Sequence, residues 1–356
     1  MKTKKWLGLY CLAFLPLLLC IAVLTIFIDP FFHYHKPNTN LFFYELTIKN
    51  ERYLNDGIIK NFDYDAIITG SSMSENFKSS EFNKLFNCNS IKVPFSGATF
   101  YEITSNIEKG FSNHNIKYVI RSLDSHVINW DSKEKRSHFI YPEYLYNDTK
   151  VDDVKYFWNT SVLMLLLKNC SRQLMGLPRG ITSFDEYANW MKEYRFAKSE
   201  VLKNRNNFNK PESISEFTTN DDKRVRENVQ NNIVNLALKN PETLFYYFFP
   251  PHSIATWGEL YENGELAKRL EEEAIAAKML VQCENIHLFS FNSRKDWILN
   301  LDRYKDTGHY DGQINSEMLR LMKEEEDKYR ITKNNVEDYI KSEEDFFMNF
   351  DYNSIF

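Results

Sequence analysis

A serine hydroxyl attacks a carbonyl only when a base takes its proton and a third group orients that base. The chain holds all three residue types, at two places far apart in the sequence. Ser72 closes the run Gly70-Ser71-Ser72, directly after the short apolar stretch Asp65-Ala66-Ile67-Ile68-Thr69. Towards the other end, Tyr304-Lys305-Asp306-Thr307-Gly308-His309-Tyr310 sets an acid three residues before a histidine, so one loop can deliver both. With Ser72 as nucleophile, His309 as base and Asp306 as orienting acid, the chemistry is acyl transfer through a covalent acyl-enzyme. Each half alone also has an ordinary reading, because Gly-Ser-Ser is a common turn and helix cap and polar loops often hold Asp and His. Ser71 and Ser74 are the alternative nucleophiles, and Asp302 and Asp311 the alternative acids, though neither aspartate keeps the spacing.

The elements that must position these residues alternate. Asp65–Thr69 reads as a buried strand running into a turn, Ser90–Pro94 as a second strand, Thr99–Phe111 as a helix and Lys117–Leu123 as a third strand. Val225–Leu238 is helical in pattern, and the aromatic run Leu244–Phe249, stopped by Pro250-Pro251, is a fourth strand. Glu265–Val281 carries an apolar face on Leu266, Leu270, Ala274, Ala277 and Val281; a fifth strand at Ile286–Phe291 and a closing helix at Gln313–Tyr329 follow. This order predicts an α/β fold with a parallel sheet flanked by helices, its site beyond the carboxyl ends of the strands. There a serine stands above the sheet, and a helix N-terminus offers N–H groups to an oxyanion. Asp124 and His126, after the third strand, and His252, after the fourth, share that edge as candidate substrate contacts. Satisfied loop residues and a strand-ending turn are the plainer readings. Between 131 and 240 the alternation stops. Helical pieces at Ser161–Asn169 and Ser183–Lys198 and a polar stretch from Lys203 to Arg226 predict an insertion over the site, as a lid or a polymer-binding surface.

At these residues the chain resembles the SGNH (GDSL-like) hydrolase superfamily. Gly70-Ser71-Ser72 matches the family's Gly-Asp-Ser-like block after the first strand, and Asp306-Thr307-Gly308-His309 its Asp-x-x-His block before the last helix. The resemblance implies a three-layer, flavodoxin-like domain over 61–330. It also implies an oxyanion hole formed by the N–H groups of Ser72 and Gly97, although a tight turn would equally require glycine at 97. The family's Gly-x-Asn-Asp block is replaced by Leu123-Asp124-Ser125-His126, which removes the usual oxyanion asparagine; Asn129 is one nearby substitute. The membrane-anchored, cell-envelope branch of the family implies O-acetyl or D-alanyl transfer to or from a polysaccharide or teichoic acid, beside a multi-pass membrane O-acyltransferase. An esterase on the same polymers, or a non-catalytic partner of that acyltransferase, are its alternatives. No metal or organic cofactor is implied.

The remaining features concern location. No charged residue lies between Trp6 and Ile28, a run long enough as a helix to cross a hydrocarbon core of roughly 30 Å. Lys2, Lys4 and Lys5 place the N-terminus (1–5) in the cytoplasm, 6–28 as a single-pass anchor and everything after Asp29 outside. No small-residue cleavage site follows, since Thr25-Ile26-Phe27-Ile28 is bulky. Residues 29–60 read as a juxtamembrane segment and 331–356 as a C-terminal tail. His33 and His35 lack a third ligand nearby and read as interfacial side chains beside Phe31, Phe32 and Tyr34. Five widely spaced cysteines make neither a disulfide framework nor a metal site. The net charge of −5 does not suggest a nucleic-acid partner.

Overall fold

The computed structural model describes residues 2–136, 142–147 and 151–356, with side chains in the first helix described at Leu12 and from Phe14 onward. The chain divides into two compact units, Met1–Phe62 with Ile140–Ser183, and Asp63–Phe139 with Phe184–Phe356. The stretch 131–240, read from the sequence as one insertion, is therefore shared between the two units; 137–141 and 148–150 lie outside the described residues.

Among the described residues the strands are β1 (Phe43–Tyr44), β2 (Ala66–Gly70), β3 (Ser90–Pro94), β4 (Tyr118–Ser122), β5 (Gly180–Ile181), β6 (Leu244–Phe249), β7 (Ile286–Ser290) and β8 (Arg330–Ile331). The larger unit carries a sheet in the order β3-β2-β4-β6-β7-β8. Its first five strands are parallel, and β8 closes the β7 edge antiparallel. β2 and β3 are buried along their whole length; β2 accordingly runs nearly all apolar, while β3 alternates Ile91 and Val93 with Ser90 and Lys92 on its other face. Between the strands the helices cover the faces. Phe100–Asn113 opens on a capping box in which the Thr99 hydroxyl and the Glu102 carboxylate each accept a backbone N–H. The helix expected at 225–238 opens earlier, at a second capping box of Thr218 and Asp221. It runs through Thr219–Val229 and a π-helical turn, Gln230–Val234, into Asn235–Lys239. In the last helix, Val336–Asn349, Phe347 stacks on Trp257 at 3.8 Å, so residues from the 331–356 stretch pack into the sheet unit.

The helix expected over Ser183–Lys198 does not form. Turns occupy 184–188 and 191–193, and a helix begins only at Lys198. Asp185 accepts the N–H of Ser80, Asn189 accepts that of Met191, and Ala188 sits at a φ of 56°. The Asn189 bond to nearby backbone competes with helical hydrogen bonding, and the Asp185 bond ties the segment to a distant part of the chain.

In the other unit the first helix, Lys2–Ile28, ends at Asp29. The buried Asp29 carboxylate accepts the N–H groups of His33, Tyr34 and His35 and the Tyr156 hydroxyl. Burial raises its pKa in spite of these donors. His33 lies between Asp56 and Asp153, and the two His35 ring nitrogens face the carbonyls of Lys36 and Ile26. β1 and β5 pair parallel as a small separate sheet. Among the described residues no helix is long and apolar enough to cross a membrane.

Candidate active site

β2 ends at Gly70 with φ 130°, and a Cβ there would lie 2.4 Å from both Ser74 Oγ and Ser122 Oγ. Only glycine allows the chain to turn so sharply beside those hydroxyls. The turn leads into a single 3-10 turn, Ser72–Ser74, and the next α-helix starts at Ser79. The helix N-terminus expected at Ser72 is thus too short to act as a macrodipole, and any oxyanion must be held by individual N–H groups. Among the described residues, neither the Ser72 nor the Gly97 N–H donates to a protein acceptor.

Ser72 Oγ lies 2.8 Å from His309 Nε2, and His309 Nδ1 lies 2.9 Å from each Asp306 oxygen. Asp306 Oδ1 also accepts the N–H groups of Gly308 and His309 at 3.0 and 2.7 Å. Burial disfavours the charged form of Asp306, but the imidazole and these two donors outweigh it and hold the carboxyl below its ordinary pKa. An ionised Asp306 fixes the proton on Nδ1, leaving Nε2 as acceptor for the Ser72 proton.

The two distant segments are held together at the Met73 carbonyl, which accepts from the Tyr310 hydroxyl at 3.2 Å and the Asn315 amide at 3.0 Å. Tyr310 ends the acid–base loop and Asn315 lies on the helix that follows it, Gly312–Glu324.

The other candidates have identifiable tasks. Ser71 donates to Asp124 Oδ1 at 2.7 Å, and Ser122 to Asp124 Oδ2 at 3.1 Å; the Ser71 N–H in turn donates to Ser122 Oγ. Asp124 is therefore buried as an anchor for the turn that carries the nucleophile. Ser74 is buried without a hydrogen-bond partner for its hydroxyl. Asp302 accepts the Lys198 N–H, while Asp311 caps the Gly312–Glu324 helix and pairs with Arg303. Asn129 directs its amide to Asp221 and Glu272, at 2.8 and 2.7 Å, and so is not placed to serve an oxyanion. His252 Nδ1 donates to the Gly308 carbonyl at 3.1 Å, and burial lowers its pKa, favouring the neutral ring. His126 is exposed, its ring edge-on to Trp130.

Sequence reasoning missed several residues around the triad. Trp190 presents its ring edge-on to His309 at 5.8 Å, and its backbone N–H donates to the Asn76 side-chain oxygen. Ser96 donates to the buried carboxylate of Glu75 at 2.5 Å, tying the loop that contains Gly97 to the segment that follows Ser72. Lys92 is fully buried on β3, with its ammonium on the carbonyls of Glu75 and Phe77 at 2.6 and 3.0 Å. Burial brings the Lys92 pKa down to about 7 and pushes that of Glu75 up. An acid three residues after the serine was a visible signal; nothing in the sequence singled out Trp190. A cavity of about 690 Å³ is lined by Asn76, Asn189, Met191, Gly312, Gln313 and Ser316 among others, and none of the triad side chains lines it. Among the described residues no group of three His, Cys, Asp or Glu side chains is arranged to hold a metal ion.

No family model matches the chain, and no curated protein sequence matches it.

Proposed function

We propose that the chain is a membrane-anchored, extracytoplasmic acyltransferase of the SGNH type, moving an O-acetyl or D-alanyl group to or from a cell-envelope polysaccharide or teichoic acid. The observation that carries the reading is the unbroken contact path from Ser72 through His309 to Asp306. The order of the parallel strands supports it: counted along the chain they lie 2-1-3-4-5, the flavodoxin-like doubly wound order, with Ser72 at the carboxyl end of the first. In the proposed reaction Ser72 Oγ attacks the donor's ester carbonyl as His309 Nε2 takes its proton. Collapse of the tetrahedral intermediate expels the donor alcohol, which receives that proton and leaves an acyl-Ser72 ester. An acceptor hydroxyl, deprotonated by His309, then attacks this ester; the bond to Ser72 Oγ breaks, Ser72 takes the proton back from His309, and the acceptor carries the acyl group away. The N–H groups of Ser72 and Gly97 hold the oxyanion in both steps, and Asp306 orients the imidazole without itself taking the proton. The uncharged run Trp6–Ile28 supports a single-pass anchor with the N-terminus inside, and a multi-pass membrane O-acyltransferase is the partner proposed to supply or receive the acyl group.

The test is a fluorophosphonate probe with adduct mapping by mass spectrometry. We expect the native chain to be labelled on Ser72, with labelling lost in Ser72→Ala and retained in Ser71→Ala. Incubation with an acetyl or D-alanyl ester, with and without a glycan acceptor, then separates transfer from hydrolysis. A native chain that neither labels nor turns over any ester would sink the catalytic reading and leave a non-catalytic assembly partner.

A further inference from the structure

The helix Thr160–Leu174 is apolar on every side over Val162–Leu167. One face is accounted for, since Val162 and Leu166 are buried within its own unit. The other face is bare: Met164 and Leu167 are 63% and 65% exposed, and Leu174 and Met175 are 90% and 64% exposed. Positions 164, 167, 174 and 175 fall on one stripe of a helix, interrupted only by Ser171, whose hydroxyl donates to the Leu167 carbonyl. The neighbouring cations are turned aside. Lys168 pairs with Glu45, and Arg172 lies over the Phe43 ring and donates to the Pro178 carbonyl. A helix that is apolar all round belongs inside a core or in lipid, and a contiguous exposed apolar stripe marks a surface that something covers.

The covering phase follows from what the helix touches. It packs against the first helix, Lys2–Ile28, within the same unit. On that helix Thr25 and Ile28 are buried and Leu18, Ile21 and Ala22 are half-buried, which makes one sheltered face over its last turns. Its other sides stay exposed at Leu19, Val23 and Phe27. A helix lying alongside apolar turns that sit in a bilayer must share their depth. At 15 residues it is about 22 Å long, too short to span a core of roughly 30 Å but longer than half of it, so one end reaches into the outer headgroup region.

We infer that the Thr160–Leu174 helix is seated in the outer leaflet beside the anchor, with Met164, Leu167, Leu174 and Met175 facing phospholipid acyl chains. The inference rests on the anchored reading of the first helix. It makes the smaller unit a membrane-embedded base instead of a free linker.

The test uses the full chain reconstituted in phosphatidylcholine vesicles that contain a phospholipid with a photoactivatable diazirine on its acyl chain, followed by peptide mapping. We expect adducts on the first helix and on Met164, Leu167 and Leu174, and at least tenfold less labelling of Ile214 and Leu238, which are exposed in the other unit. Leu167→Glu should lower labelling of its own helix several-fold and leave the first helix labelled. Adducts on the first helix with none on residues 160–175 would overturn the seating and keep the anchor, as when a second protein covers the stripe. If neither helix were labelled, the anchored reading would fall and the seating with it.

Discussion

Two loops deliver the candidate triad, and they are built in opposite ways. The nucleophile turn is fixed by buried side chains. Asp124 takes the hydroxyls of Ser71 and Ser122, Lys92 holds the carbonyls of Glu75 and Phe77, and Gly70 leaves room for two serine hydroxyls. The acid–base loop is gripped by its backbone. Ser253 and Thr256 both donate to the Thr307 carbonyl at 2.6 Å, His252 donates to that of Gly308, and the Asp306 side chain stays 49% exposed. A buried polar network is rigid and costly to break, because each loss strands a desolvated partner. A half-exposed carboxylate contributes little to stability, whatever it does for the reaction. The nucleophile's position is thus tied to buried contacts that folding must make, whereas the acid that orients the base is held at a partly exposed surface.

The largest expected effect separates these two properties. Asp306→Asn should slow fluorophosphonate labelling of Ser72 by about 10³–10⁴-fold, since an amide no longer selects the productive imidazole tautomer. Its urea stability should move by less than about 1 kcal/mol. Asp124→Ala should do the reverse and first cost stability, about 2–4 kcal/mol, by leaving the Ser71 and Ser122 hydroxyls buried without their acceptor. Asp124→Asn, which keeps one acceptor oxygen, should recover part of that loss. Equal stability losses in Asp306→Asn and Asp124→Ala would end the contrast.

Lys92 sharpens the same point through pH. Its pKa is brought down from 10.5 to about 7 in the folded chain, so across that window the unfolded chain binds more protons. Stability should therefore rise as pH goes from about 7 towards 10.5, by on the order of a few kcal/mol, and show no Lys92 contribution to the slope below pH 7. Glu75 acts in the other direction: burial raises its pKa, so it contributes stability that is lost as pH rises above the ordinary carboxylate range. Urea midpoints for the native chain and Lys92→Met, measured across this range, check the sign. A slope that survives in Lys92→Met assigns it to another group.

The parts of the molecule that local pattern dictates were legible in the sequence. Leu244–Phe249 reads as a strand because a β-favouring aromatic run meets two prolines, and Ser90–Pro94 because β-branched Ile91 and Val93 alternate with other residues up to a turn. The site's two halves were legible because each sits at the end of such an element. What was hidden depends on contacts between distant residues. Asp124 and Ser71 are 53 residues apart, and neither sequence neighbourhood announces the other. The segment around Trp190 carries apolar residues at helical spacing, yet Asn189 binds local backbone and Asp185 is drawn to the distant Ser80, which keeps the segment in turns that bring the indole to His309. β8 is two residues long, too short for any periodicity to show.

The smallest expected effect tests the grip on the acid–base loop. The Thr307 carbonyl accepts two hydroxyls, from Ser253 and Thr256, and the Ser253 N–H at 3.3 Å. Removing one hydroxyl leaves the carbonyl satisfied by the others, so Thr256→Val alone should cost no more than about 1 kcal/mol and Ser253→Ala, whose hydroxyl also caps the helix Ile254–Glu262, up to about 2 kcal/mol, each slowing labelling only a few-fold. Removing both should cost more than the sum of the single changes, because only then does the carbonyl lose its side-chain donors. The matching readout is hydrogen exchange at the Gly308 and His309 amides, which donate to Asp306 Oδ1. Faster exchange there, with unchanged protection in β2 and β4, is the signature of a loop that loosens on its own. Equal acceleration in the strands would mean that the two loops are one cooperative unit, and the contrast between a buried turn and a clasped loop would not hold.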